Sequence, residues 1–362
     1  MAELQDFKCP SCGGAIHFDT GVQKMKCPYC DAEFDIDSLK ALENEPEILD
    51  EDKFAWDNTP GQEWSEEDQE QLNSYVCNSC GGEIIGDKTL GATSCPYCGS
   101  PVVMTKMFAG ILKPDYVIPF KYDKKQAEDS LRKYVKSKRF VPKLFRSENR
   151  IKEIRGIYVP FWLFDSKIDA DIQYNATEVT TWSDSEYVYT KTDHYKLYRS
   201  GDMKFQHIPV DGSSKMPDDL MESIEPFDFS EAVDFQTAYL SGFFANRYDV
   251  TADDSVEKAN TRIKNSTEAE FKKTTKGYDS VVTAASSMRL SESTEHYALY
   301  PVWILNTKWN GNDYMFAMNG QTGKFTGNLP ASVGGLWGWF FIITGIIGIL
   351  LFLLLYYKRS CL

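Results

Sequence analysis

Histidine is scarce in this sequence, and the motifs that would use it are missing. The four histidines, His17, His194, His207 and His296, never form a His-Glu-x-x-His pattern, which would hold a hydrolytic zinc on one helical face. No Gly-x-Ser-x-Gly elbow presents a nucleophilic serine. No Gly-x-x-x-x-Gly-Lys-Ser/Thr loop offers a cradle for phosphates. Without such constellations the chain reads as a non-enzyme, its histidines being ordinary surface or core residues of strands. The opening MAELQDFKCP lacks the basic and apolar regions of a secretory signal, so none is expected.

Cysteine, by contrast, is abundant and regular. Cys9-x-x-Cys12 is followed by Cys27-Pro-Tyr-Cys30, and Cys77-x-x-Cys80 by Cys95-Pro-Tyr-Cys98. Cys77 lies 68 positions after Cys9, and the other three pairs keep that shift, as do Gly13-Gly14 and Gly81-Gly82, and Ile16 and Ile84. The unit is duplicated. Two Cys-x-x-Cys hooks joined by a short hairpin wrap four thiolates around Zn²⁺, so Cys9, Cys12, Cys27, Cys30 and Cys77, Cys80, Cys95, Cys98 are expected to form two zinc ribbons. The glycines after each first hook permit a tight turn whose amides point at sulfur. Four thiolates close the tetrahedron, so the sites are expected to be structural. A disulfide framework would need an oxidising compartment, and His17 is left outside a complete cage. Of the nine cysteines only Cys361 remains.

The net charge of −14 is local. Between Asp31 and Val76 there are 16 acidic residues against two lysines. Acidic ribbon surroundings repel phosphate, so nucleic acid is an unlikely partner. From Lys121 to Arg155 the sign reverses, with 13 basic residues against five acidic; this face is solvated, docks the acidic linker, or faces anionic lipid. Charge patterning does not separate the three readings.

The expected organisation is ribbon 1 over 1–36, an acidic linker with a short helix over 37–76, ribbon 2 over 77–113, a basic helical segment over 114–155, an aromatic-rich α+β domain over 156–330, and a transmembrane helix over 336–357. Ser65 with Asp68, Asp123 with Gln126, and Thr251 read as helix caps. Phe54, Trp56 and Trp64 are unusual in a spacer; they dock on the protein's own surface or on a partner, and the former is the expectation. Beyond Arg155 the pattern alternates with period two, giving a mainly antiparallel sheet, and a helical insert from Pro217 to Lys276 is expected on one of its faces. Asn310-Gly311 and Asn319-Gly320 read as tight hairpin turns. IYVPFWLF around Pro160 resembles ALYPVWIL around Pro301; proline cannot donate to a ladder, so both are expected at strand starts or edges.

Leu336 to Tyr357 is 22 residues without a charge, about 33 Å as a helix and enough to cross a bilayer. Trp337 and Trp339 mark one interface, and Tyr356, Tyr357, Lys358 and Arg359 the other. Lys358 and Arg359, with sequons at Asn175 and Asn265, argue for an external domain; the zinc-ready thiols argue for a reducing compartment. The short tail favours a single-pass, tail-anchored protein of the cell membrane with its bulk in the cytoplasm. Thr344 and Gly348 offer a small face for helix pairing and hence a possible oligomer.

With both cages, the phrase CPYCGSPVVMTKMFAGILKPDYVIPFKYD, the YVPFW motif and the apolar C-terminal run, the chain resembles the bacterial TFIIB-type zinc-ribbon membrane proteins. Some of these carry a primosomal-helicase label, for which this sequence has no phosphate loop. The resemblance implies association with phage-shock-type envelope-stress proteins, and a membrane anchor that recruits cytoplasmic protein partners. A scaffold or adaptor is therefore the expected function, and a membrane-tethered nucleic-acid binder is the alternative.

Overall fold

A computed structural model of the chain describes residues 8–43, 51–56, 60–88, 94–105, 112–138, 140–330 and 332–360. The first ribbon is an antiparallel sheet of β1 (His17–Asp19), β2 (Lys24–Lys26) and β3 (Glu33–Phe34), followed by helix α1 (Ile36–Glu43). In the acidic segment, β4 (Gln62–Glu63) precedes α2 (Glu66–Gln71), where the Ser65 hydroxyl accepts the Asp68 amide at 3.2 Å. Strands β5 (Leu72–Val76), β6 (Glu83–Asp87) and β7 (Val103–Thr105) belong to the second ribbon. Short strands β8 (Leu112–Lys113) and β9 (Tyr116–Val117) lead to α3 (Lys124–Ser137). A full capping box starts α3, the Asp123 carboxylate accepting the Gln126 amide and the Gln126 side chain the Asp123 amide. Its apolar stripe, Ala127, Leu131 and Val135, is buried. After α4 (Glu148–Ile151) come the long strands β10 (Arg155–Ser183) and β11 (Val188–Asp211), then α5 (Asp218–Ile224), β12 (Val233–Asp234) and β13 (Phe244–Asn246). Helix α6 (Ala252–Lys272) follows its Thr251 cap, and β14 (Ser280–Trp309), β15 (Asn312–Asn319), β16 (Phe325–Gly327) and α7 (Val333–Ser360) complete the chain.

Two compact units result, one of Met1–Ala55, Ser166–Lys204 and Arg262–Glu292, the other of Trp56–Asp165, Phe205–Thr261 and Ser293–Leu362. The span expected as one α+β domain, 156–330, is thus shared between them. In the first unit, β10 buries alternate residues Ile168, Ala170, Ile172, Tyr174 and Ala176, as one covered sheet face requires. The acidic segment takes part there: Lys53 exchanges backbone bonds with Met288 and Leu290, and Asp52 pairs with Lys264.

The second unit is built on a sheet in the order β12-β9-β14-β10-β13-β6-β5-β7, with β15 and β16 branching from β14. It is a mixed α+β arrangement in which β9 with β14 and β10 with β13 pair in parallel. Both faces are covered. Alternate residues of β10, Ile157, Val159, Phe161 and Leu163, join a cluster with α5, whereas Tyr158, Trp162 and Phe164 join another with Ala252 and Ala259 of α6. The insert expected on one face therefore covers both, and it also supplies strands β12 and β13. Period two holds at 168–176, where one face is covered, and gives way at 157–164, which is buried continuously, the signature of a strand enclosed on both sides.

The two prolines lie inside β10 and β14, correcting their expected place at strand starts or edges. Each marks a change of neighbour. β14 pairs with β9 at Ala298 and Leu299 and with β15 from Val302 onward, so Pro301 stands where no ladder bond is needed from its nitrogen. Pro160 follows Ile157 and Tyr158, which pair with β13.

The sheet is internally duplicated. Tyr116 and Val117 face Ala298 and Leu299; Phe244 and Ala245 face Ile157 and Tyr158 in the same parallel register. The Gly320 amide donates to the Pro301 carbonyl at 2.8 Å, and the Gly212 amide to that of Pro160 at 2.9 Å. Gly320 accepts from the amides of Lys121 and Tyr122, Gly212 from those of Asp249 and Val250. The Trp303 indole donates to Tyr122 O and the Trp162 indole to Val250 O, both at 2.9 Å, each just before a helix cap, Asp123 or Thr251. Strand order around the β14/β10 centre is palindromic, β12-β9-β14 against β6-β13-β10.

Asn310 and Gly311, with φ of 51° and 81°, make the expected tight turn between β14 and β15. At Asn319-Gly320 the chain instead makes a longer turn through Gly323, φ 76°. There the Asn319 Oδ1 accepts two backbone amides while its Nδ2 donates to the Ile224 and Pro226 carbonyls. Trp56 and Trp64 dock as expected, Trp56 on Phe164 and Asn260, Trp64 on Phe235. In the basic segment, Arg132 pairs with Glu128, Asp129 and Glu148 and Lys121 with Glu231.

Helix α7 exposes apolar side chains from Trp337 to Phe352. Among the described residues no helix is long and apolar enough to cross a membrane. The side chains of Tyr356, Tyr357, Lys358 and Arg359, and Cys361 altogether, lie outside the described ones.

Candidate metal centres

All eight cysteines singled out from spacing come together in fours. In each set the sulfurs lie within 4.8 Å of one another. Cys9 faces Cys30 at 3.6 Å and Cys12 faces Cys27 at 3.5 Å; Cys77 faces Cys98 at 3.5 Å and Cys80 faces Cys95 at 3.6 Å. A tetrahedron with metal–sulfur bonds of about 2.3 Å has sulfur–sulfur edges of about 3.8 Å, so the donors are already placed for zinc.

The hooks owe their shape to one turn used four times. Gly13 donates to Cys9 O, Asp31 to Cys27 O, Gly81 to Cys77 O and Gly99 to Cys95 O, at 2.8–3.0 Å. Each of these residues has a positive φ, between 56° and 75°, which glycine takes without strain and aspartate tolerates. The turn directs further amides at sulfur: Gly14 at Cys12, Ala32 at Cys30, Gly82 at Cys80 and Ser100 at Cys98. These amides favour thiolate.

Electrostatics supports the same reading. Burial raises the Cys98 thiol, but the Ser100 hydroxyl and amide overcome it and hold the thiol down at about 6. Cys27, opposed by burial, is held at about 7 by the amides of Tyr29 and Cys30. Cys30 rises to about 12 despite the Ala32 amide, because burial and the neighbouring thiols disfavour a second charge. Four crowded sulfurs ionise together only with a cation among them, so both sets could each hold a metal ion and suit zinc by donor type.

The two ribbons differ in setting. Cys77, Cys95 and Tyr97 share a buried cluster with Ile157, Phe161 and Tyr300, Arg155 clamps the Ser94 hydroxyl and carbonyl, and Asn306 donates to Tyr97 O. Among the described residues, ribbon 1 has only its own small core of Cys9, Ile16, Cys27 and Leu39, with Met25, Ala32 and Phe34 against it. Tyr97 is 4% exposed; Tyr29, at the same place in the repeat, is 75% exposed. His17 is exposed on β1, beside a cage that is complete without it. Sequence reasoning missed the meeting of His207 and His296 at Asp165, for which no local spacing gives a signal.

No family profile matches the chain, and no solved structure matches it. It is 33% identical over 339 residues, covering 94% of either chain, to a protein of Bacillus subtilis (strain 168) described as uncharacterized protein YdjG. Identity of this degree over nearly the whole length places the chain in one family with YdjG.

Proposed function

We propose that the protein is a membrane-anchored zinc-ribbon scaffold that brings cytoplasmic protein partners to the membrane, in the manner of the TFIIB-type zinc-ribbon membrane proteins it resembles. The observation that carries this reading is the contrast between Tyr29 and Tyr97. One ribbon uses its Cys-Pro-Tyr-Cys tyrosine to fasten itself to the protein's own core. The other, from the same duplication, presents that tyrosine to solvent together with Phe18, and exposed aromatics are the usual anchors of protein interfaces. The metal sites have no coordination position left for substrate, which suits a presenting role.

In this proposal Leu336–Tyr357 is the anchor, its exposed Trp337, Phe340, Phe341, Ile346 and Leu350 facing lipid, and the bulk of the chain is cytoplasmic. Envelope-stress proteins of the phage-shock type are the partners to seek. Crosslinking and mass spectrometry in native membranes tests both parts. We expect the chain to stay in the membrane pellet after alkaline washing and to yield a discrete set of partner crosslinks that Tyr29→Ala depletes. Release by the wash sinks the anchor. An unchanged crosslink set in Tyr29→Ala sinks the docking role.

A further inference from the structure

Beside the second ribbon lies a cavity of about 230 Å³, lined by Gly81, Glu83, Lys215, Asn246, Arg247 and Asp249, with Tyr248 at its side. Sites for drug-sized ligands span about 300–1,000 Å³, so this one suits a smaller molecule. The zinc hook supplies one wall. Gly81, the positive-φ residue after Cys80, stands where an added Cβ would come 4.0 Å from Lys215 Nζ. At Gly13, its counterpart in ribbon 1, a Cβ would meet nothing within 4 Å among the described residues. The lining is thus a property of the second copy of the duplicated unit.

The charges around this space balance and are fastened. Lys215 Nζ lies 3.5 Å from Asp249 Oδ2, and Arg247 pairs with Glu83 at 2.5 Å. The Ser214 amide and hydroxyl also donate to Asp249, and the Arg247 amide donates to the Glu83 carbonyl at 3.0 Å. Two positive and two negative groups favour neither a polyanion nor a bare cation. A molecule carrying both signs finds a partner for each. An ammonium has three N–H donors and a guanidinium five, so one ion pair at each leaves donors over for a carboxylate.

The floor of the cavity asks for a donor. Asn246 lines it and is 2% exposed. Its Nδ2 donates to the Ser213 hydroxyl, while its Oδ1 has no hydrogen-bond partner among the described residues. Buried acceptors are seldom left in that state, and an N–H of a ligand would satisfy it.

We propose that this cavity binds a small α-amino acid as its zwitterion, the carboxylate on Lys215 and Arg247 and the ammonium between Asn246 Oδ1 and Asp249. The described lining holds one aromatic side chain, Tyr248, and no aliphatic one. A large apolar side chain therefore finds no matching wall, and glycine, alanine and serine are the candidates. The site is independent of the scaffold reading, since it needs neither a bilayer nor a protein partner.

The test is isothermal titration of the full-length protein in detergent with glycine, L-alanine and L-serine. We expect saturable binding of at least one of them with a Kd of about 1 mM or tighter. The amide and the N-acetyl derivative of the tightest binder each keep one charge, and each is expected to bind about tenfold more weakly or worse. Lys215→Gln is expected to weaken the free amino acid by a similar factor, with the thiolate bands of the cobalt-substituted ribbons unchanged. No binding of the three amino acids to the wild type overturns the site. An amide that binds as tightly as the free amino acid overturns the zwitterion and points to a peptide N-terminus instead. Unchanged affinity in Lys215→Gln puts the binding elsewhere and also overturns the proposal. The derivatives need no variant, so they decide alone if Lys215→Gln does not fold.

Discussion

Asp211 occupies in one half of the duplicated sheet the place that Asn319 occupies in the other. Each ends a strand, and each Oδ1 accepts the amide two residues on, Ser213 or Gln321. Each is followed by the glycine that donates to a mid-strand proline carbonyl. The halves differ in one atom. Asn319 Nδ2 donates to two carbonyls, whereas Asp211 Oδ2 is fully enclosed. Burial pushes the Asp211 carboxyl up to about 8, against the pull of the Ser213 amide, so at neutral pH it carries a proton and resembles the amide of its counterpart.

This gives a pH dependence of definite sign. A carboxyl whose pKa is higher folded than unfolded binds more protons in the native state, so stability falls as pH rises from the unfolded value near 4 toward about 8. The full effect is on the order of 5 kcal/mol. Urea melts at several pH values between 5 and 8 should show this decline in the wild type and a much flatter profile in Asp211→Asn. Parallel profiles would disprove the assignment.

Zinc removal should not affect both ribbons alike. Cys77 and Cys95 belong to a core shared with β10 and β14, so Cys80→Ser should lower the main melting transition by about 3 kcal/mol or more. Cys12→Ser should release one zinc and leave that transition within about 1 kcal/mol of the wild type. Calorimetry combined with a chromogenic zinc assay separates the cases. Equal losses would mean that ribbon 1 supports the fold as ribbon 2 does.

The two equivalent tyrosines make a matched pair. Tyr97→Ala empties a buried site and should cost about 3–5 kcal/mol. Tyr29→Ala removes a side chain that is mostly in solvent and should cost less than about 0.5 kcal/mol. Chemical denaturation of both variants checks the asymmetry.

Close approach at the proline contacts forbids side chains on the glycines. A Cβ on Gly320 would sit 2.6 Å from Phe120 and 2.9 Å from Pro301 Cβ; one on Gly212 would sit 3.1 Å from the Trp162 indole nitrogen. Gly320→Ala should therefore destabilise by about 1–3 kcal/mol, and Gly212→Ala by less. Thermal melts showing the reverse order would contradict the packing described.

What could be read from the chain was local. The cages were legible because their ligands sit on two short hooks, and the caps at Ser65, Asp123 and Thr251 because a cap needs only four residues. The motifs around Pro160 and Pro301 were visible as a repeat, yet their role was not. A proline within a strand is tolerated where no ladder bond is needed from its nitrogen, which here depends on a change of neighbour, and neighbours are chosen by strands far off in sequence. The Asp165, His207 and His296 cluster was hidden for the same reason. Each residue lies on a different strand, and only sheet order brings them together.

The interleaving of the duplicated halves bears on how the molecule is made. Strand β9 finds its parallel partner only in β14, about 180 residues later, and pairings so distant are slow to form. During synthesis both cysteine cages are complete by Cys98 and can capture their ions while the sheet still lacks its middle. Metal capture by the cages would then precede assembly of the body around the second of them.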